Sequence, residues 1–206
     1  MDSSGKNSPW ASRQDRQAER ENKREAVLRT AAILFNEKGF HATSLDDVAE
    51  RLNITKPTVY YYVKSKDEIL FECVRIGLQR LEQASTQALQ NGGDTRANLI
   101  AVMGEYVQIV TTDFGMCLIR VGEDPLTLGS RRKLRLLKSR IDLRFRALIA
   151  QGIEEGVLKP CDPKFAAFTV AGALSWIARW YDPNGPLKAQ QIADQCVDLL
   201  MNGLSK

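Results

Sequence analysis

The chain has 206 residues, 44% of them hydrophobic and 26% charged, with a formal net charge of +4. That length suits one extended domain or two small ones, and the balance is that of a globular protein, not of a disordered or fibrous one. Mild basicity admits a polyanion as partner without requiring one. No apolar run reaches the roughly 18 residues of a membrane helix, and the polar N-terminus lacks a signal core, so a cytoplasmic protein is expected. Cys73, Cys117, Cys161 and Cys196 lie far apart with no C-x-x-C pair. They read as small buried hydrophobes, not zinc ligands. The single histidine, His41, leaves histidine-dependent catalysis little to work with. No enzyme activity, metal or cofactor is expected.

Residues 1 to 20 are polar, with no apolar stripe, and predict a disordered arm. Arg13, Arg16 and Arg20 either belong to a solvated tail or reach phosphates or a minor groove. From about Gln17 the chain turns helical. Leu28, Ala31, Ala32 and Phe35 recur on one helix face, and Gly39 ends it. Ser44 and Asp47 form a cap signature before Leu45, Val48, Ala49 and Leu52, which repeat the helical spacing. Asn53-Ile54-Thr55 breaks the pattern. Thr55 can cap the next helix, with Pro57 in its first turn. Ser65 and Glu68 cap a long helix to about Asn91.

The remainder is helical too. Asn91-Gly92-Gly93 is a break, and Asp94 or Thr95 starts a helix to about Thr112. A short segment around 116 to 128 is interrupted at Pro125. Helices are predicted from Ser130 to about Glu155, from Asp162-Pro163 to the Asp182–Pro186 break, and from about Lys188 to Leu204. No useful strand alternation occurs. The fold class is all-α, about nine helices. An N-terminal helix-turn-helix head spans residues 21–66 and a larger helical body residues 67–206.

The segment 56–63 carries the most chemistry. At 100° per residue Val59 and Val63 share one direction and face the core. Pro57 and Tyr61 then point away, with Thr58 and Tyr60 on the flanks and Lys56 at the exposed start. Three consecutive tyrosines need partners for their hydroxyls, and a DNA groove supplies them. Lys56, Pro57, Thr58 and Tyr61 can reach base edges or thymine methyls. Thr58, Tyr60 and Tyr62 can donate to phosphates, with Lys64 and Lys66 adding charge. Thr43 and Ser44 can add backbone and hydroxyl donors at a helix start. The competing reading is a surface helix with an aromatic cluster in a domain interface, evenly balanced for Tyr62.

Val27 through Leu70 resembles the DNA-binding domain of the TetR family of bacterial regulators. The resemblance rests on Ala31-Ala32-Ile33-Leu34-Phe35, Lys38-Gly39-Phe40, Thr43 to Ala49, Thr55 to Val63 and Lys64 to Leu70. It implies an all-helical homodimer whose body binds an inducer, reading a palindromic operator in double-stranded DNA. It also implies base contacts from Lys56, Pro57, Thr58 and Tyr61, and phosphate contacts from Thr43, Tyr60, Tyr62 and Lys66. Pro57 stands where the family often has Gly, and Val63 where it often has Phe.

The last two helices are the expected dimer surface: Ala171, Gly172 and Ser175 on one, Ile192, Cys196, Leu199 and Leu200 on the other. An intramolecular core could use the same residues. Trp176, Arg179 and Trp180, with Phe145 and Phe168, are the candidate pocket. The stretch from Gly172 resembles a TetR branch that includes repressors of fatty-acid and steroid breakdown, whose members often sense acyl-CoA thioesters. That implies acyl-CoA or another hydrophobic effector. Residues 131 to 146 hold eight basic side chains against Asp142 alone. Most read as a solvated face, and the alternative is a phosphate-receiving pocket mouth. The expected function is a ligand-released repressor, and the alternative a ligand-independent activator or architectural protein.

Overall fold

The computed structural model describes residues 13–90 and 93–203. Among these, nine helices follow in order: α1 (Arg13–Lys38), α2 (Leu45–Arg51), α3 (Lys56–Tyr62), α4 (Lys66–Gln90), α5 (Thr95–Val110), α6 (Asp113–Val121), α7 (Leu128–Glu154), α8 (Pro163–Trp180) and α9 (Ala189–Asn202). None of these helices is long and apolar enough to cross a membrane.

Local chemistry sets most boundaries. Gly39, at φ +88°, turns the chain out of α1. Ser44 and Asp47 close a reciprocal capping box on α2, and Thr55 caps α3. Asp94, Thr127 and Asp162 cap α5, α7 and α8. Part of the expected arm, residues 1–12, lies outside the described residues, as does Asn91-Gly92. Arg13 to Arg20, also assigned to that arm, is instead the first part of α1. This stretch lacks an apolar stripe, so periodicity could not find it. Local pairs such as Lys23 to Glu19 at 2.6 Å support the exposed section. The short segment expected at 116–128 is α6, starting earlier, because Thr112 accepts the Gly115 N–H and caps it.

Helices α1 to α3 form a small head around Leu28, Ala31, Phe35, Val48 and Val59, all fully buried or nearly so. Helix α4 runs from this head into the body, where it packs on α5, α6 and α7. Polar links join the two parts. Arg24 of α1 reaches Glu68 and Glu72 of α4 at 3.1 and 3.2 Å. Asn36 Nδ2 donates to the Asp113 carbonyl at 2.9 Å. Asp67, in the first turn of α4, accepts the Thr127 N–H (2.6 Å) and the Ser130 hydroxyl (2.9 Å) at the start of α7. Helices α8 and α9 both lie on α5. Among the cysteines, Cys73 and Cys117 are buried as expected, Cys196 is half-buried, and Cys161 is exposed, contrary to expectation. Cys161 precedes the α8 cap, in a loop that leaves it exposed.

Candidate nucleic-acid interface and effector cavity

Helix α3 is held by its two valines, Val59 at 0% and Val63 at 1% exposure. The opposite face carries Pro57 and Tyr61, both exposed, with Tyr61 at 64%. Tyr60 is exposed as well, while Tyr62 is half-buried and packs against the head core. The Tyr61 and Tyr62 rings meet edge to face at 5.0 Å, and the Arg20 guanidinium lies 5.3 Å from the Tyr61 ring centre. This contact brings the N-terminal part of α1 alongside α3, a relation the sequence did not reveal. Lys56 Nζ pairs with Asp46 at 2.8 Å, and this carboxylate raises the lysine pKa. Both groups are exposed, so the pair can exchange for another anion at little cost.

Three expected phosphate donors are engaged elsewhere. The Thr43 hydroxyl is buried and donates to the carbonyls of Gly39 (2.9 Å) and Leu34 (3.2 Å), which removes it from the phosphate-facing hydroxyls. Ser44 gives its N–H (2.6 Å) and its hydroxyl (2.5 Å) to Asp47 inside the capping box. Those bonds, with Lys38 beyond, hold the Asp47 carboxyl far below the usual carboxylate range. Lys66 turns inward: its Nζ donates to the Thr43 carbonyl at 2.5 Å and lies 4.5 Å from the Phe40 ring centre. Burial lowers its pKa. Lys66 therefore clamps the turn before α2 in this structure. Lys64 is exposed, as is Lys56. Together these features define a DNA-reading head of the helix-turn-helix class, a short helix presenting one face outward on a second helix that braces it.

The body holds a partly open cavity of about 290 Å³ between α4, α5, α6, α7 and α8, walled by Leu81, Met103, Ile141, Phe145 and Leu174 among others. Phe145 and Phe168 line it, as expected. Trp176, Arg179 and Trp180 do not: they stand on the outer face of α8, with Trp176 at 64% exposure. Helix α8 is apolar nearly all round, so its composition could not say which aromatics turn inward. Among the described residues Arg179 reaches only the Arg120 carbonyl, at 3.5 Å. Arg120 itself donates to the carbonyls of Ala178 (2.8 Å) and Tyr181 (3.0 Å), satisfying the end of α8.

The expected dimer residues divide in the same way. Ala171 and Ser175 line the cavity, and Ile192 is buried at 3% exposure within its own chain. Gly172 of α8 and Leu199 of α9 are exposed, and Cys196 and Leu200 of α9 are half-buried. Exposed Phe165, Trp176 and Trp180 extend this outer surface. Four of the eight basic side chains of α7 pair with acids. Arg140 and Arg144 converge on Glu82, Lys138 meets Glu123, and Arg146 meets Asp142 while lying 4.9 Å from the Phe168 ring centre. Lys138 and Asp142 stand at the cavity.

Two family models match the chain: the tetR family of bacterial regulatory proteins over residues 27–73, and the tetracyclin repressor-like C-terminal domain over residues 92–204. The chain belongs to the TetR family of bacterial transcriptional regulators, proteins that regulate transcription and are not enzymes. It is similar to the crystal structure of the TetR-family regulator PfmR from Thermus thermophilus, with 32% identity, 87% of this chain and 99% of that one covered, and a TM-score of 0.79. A crystal structure of AibR in complex with isovaleryl coenzyme A and operator DNA is 26% identical, covering 87% of this chain and 98% of that one at a TM-score of 0.75. The transcriptional repressor KstR2 of Rhodococcus jostii is 26% identical over 188 residues, 89% of this chain and 91% of the relative.

Proposed function

We propose that this regulator is a homodimeric repressor of a palindromic operator, released by a hydrophobic small molecule. The observation that carries the reading is the orientation of α3, with Val59 and Val63 buried and Pro57 and Tyr61 facing out. In this reading Lys56, Pro57, Thr58 and Tyr61 meet base edges, while Tyr60, Tyr62 and Lys64 meet phosphates. Residues 21–66 form the reading head, with the α1 extension beside it, and residues 67–206 form the body. Two heads about 34–36 Å apart read one palindrome, which requires two chains. The outer face of α8 and α9, with Phe165, Gly172, Trp176 and Leu199, forms the seam between them.

The effector occupies the α4–α8 cavity. AibR, whose complex holds isovaleryl coenzyme A and operator DNA, supports an acyl-coenzyme A as its class. Lys138 lines the cavity and Arg146 pairs with Asp142 of its wall, so a charged portion of the effector would find cations there. The effector acts only through a difference in affinity between operator-competent and released states. The test is selection of an operator from random duplexes, followed by titration of parent and Tyr61→Ala protein. Tyr61→Ala is expected to cost about 1–3 kcal/mol on the operator and much less on random DNA. Equal losses on both would take Tyr61 off the base-reading face. A parent protein with no preference for any duplex would favour the architectural alternative.

A further inference from the structure

Resting on the cavity as the effector site, the structure adds a chemical requirement. Of the polar residues lining it, three have hydrogen-bond partners outside the open space. Ser85 donates to the Leu81 carbonyl at 2.8 Å, Lys138 meets Glu123, and Asp142 meets Arg146. The other two are Tyr106 of α5 and Ser175 of α8, and their hydroxyl oxygens lie 2.7 Å apart.

This pair has two hydroxyl hydrogens, and the mutual hydrogen bond consumes one. Among the described residues the second hydrogen has no acceptor. Apart from Ser85, Lys138 and Asp142, the rest of the lining is apolar, Val102, Met103 and Leu174 included. Once an apolar ligand covers it, a donor left unmet costs about 1–3 kcal/mol. A saturated hydrocarbon chain filling the cavity would seal that cost in. A ligand oxygen placed there would remove it. Burial raises the Tyr106 pKa, so the phenol stays protonated and able to donate.

We infer that the effector carries an oxygen acceptor, a keto or hydroxyl group, on the apolar part that enters the cavity, and that the Tyr106–Ser175 hydroxyl pair receives it. The volume of about 290 Å³ lies at the small end of small-ligand pockets, which run from about 300 to 1,000 Å³. That sets the scale at a medium-length or compact acyl group.

The decisive comparison is isothermal titration calorimetry of the full chain with octanoyl-coenzyme A and its 3-, 5- and 7-oxo analogues. At least one oxo analogue should bind about tenfold more tightly than octanoyl-coenzyme A. A single substitution leaves one hydroxyl able to donate, so the informative variant is Tyr106→Phe with Ser175→Ala. Replacing both partners by apolar groups of similar shape is close to neutral for stability. In this double variant the oxo preference should vanish. Should the parent show no oxo preference, or the double variant keep it, the inference is overturned while octanoyl-coenzyme A binding leaves the effector reading standing. Should none of the four thioesters bind, both fail together.

Discussion

Gly172 decides whether α8 forms a seam between two chains. It lies in the middle of the helix, where Gly is about 1 kcal/mol worse than Ala. Within its own chain a methyl at this position meets nothing within 4 Å. The protomer thus gives no reason for the glycine, and Gly172→Ala alone should stabilise it by that ~1 kcal/mol. At a close two-fold contact the sign reverses. An added methyl in a packed interface costs about 1–3 kcal/mol, and symmetry places two of them there. The helical gain is common to free and paired folded chains, so it cancels from the association constant. The dimer Kd should therefore rise at least about 30-fold. Sedimentation equilibrium over a range of concentrations measures it. Gly104→Ala, in α5 and equally free of neighbours within 4 Å, is the control: it should raise the Tm and leave Kd alone. If Gly172→Ala behaves like Gly104→Ala, the seam does not run through Gly172.

Further outcomes follow from other sites. In Gly115→Ala the new methyl would sit 2.0 Å from the Ile109 carbonyl oxygen, a backbone atom with little freedom to yield. A loss of about 3 kcal/mol or more outweighs the ~1 kcal/mol helical gain, so circular-dichroism melting should show a Tm lower by about 4–12 °C. Lys64→Ala should reduce the salt dependence of DNA binding by about one ion without changing the Tm, whereas Lys66→Ala should lower the Tm by loosening the 41–43 turn. Equal behaviour of the two in salt titration and melting would contradict the inward placement of Lys66. Asp47 has a depressed folded pKa, so its stabilising contribution is present above the unfolded carboxyl value near 3.9 and fades as pH falls through the folded one. NMR of the Ser44 and Asp47 amides should show the capping box surviving well below pH 4. Loss of these signatures together with those of exposed carboxylates would refute the shift.

The head was legible because its determinants are local. The valine spacing of α3, the Ser44–Asp47 box and the Thr55 cap act within four residues, so periodicity and cap chemistry find them. The inward turn of Lys66 depends on a carbonyl 23 residues away, and the Tyr106–Ser175 pair on helices 69 residues apart. No pattern rule spans such distances. Trp176 and Trp180 were misplaced for a different reason: aromatic density marks an apolar helix but not its register. Gly115, like Lys66, depends on a contact: its missing side chain lets α6 approach the end of α5, which no spacing rule reports.

In the proposed dimer with its effector bound, helix α8 has two sides with separate occupants. Ser175 touches whatever fills the cavity, and its sequence neighbour Trp176 stands on the outside of the same turn. A rigid rod cannot shift on one side alone. Thermodynamic reciprocity then ties small-molecule affinity to self-association, so the apparent strength of an effector should depend on how concentrated the protein is.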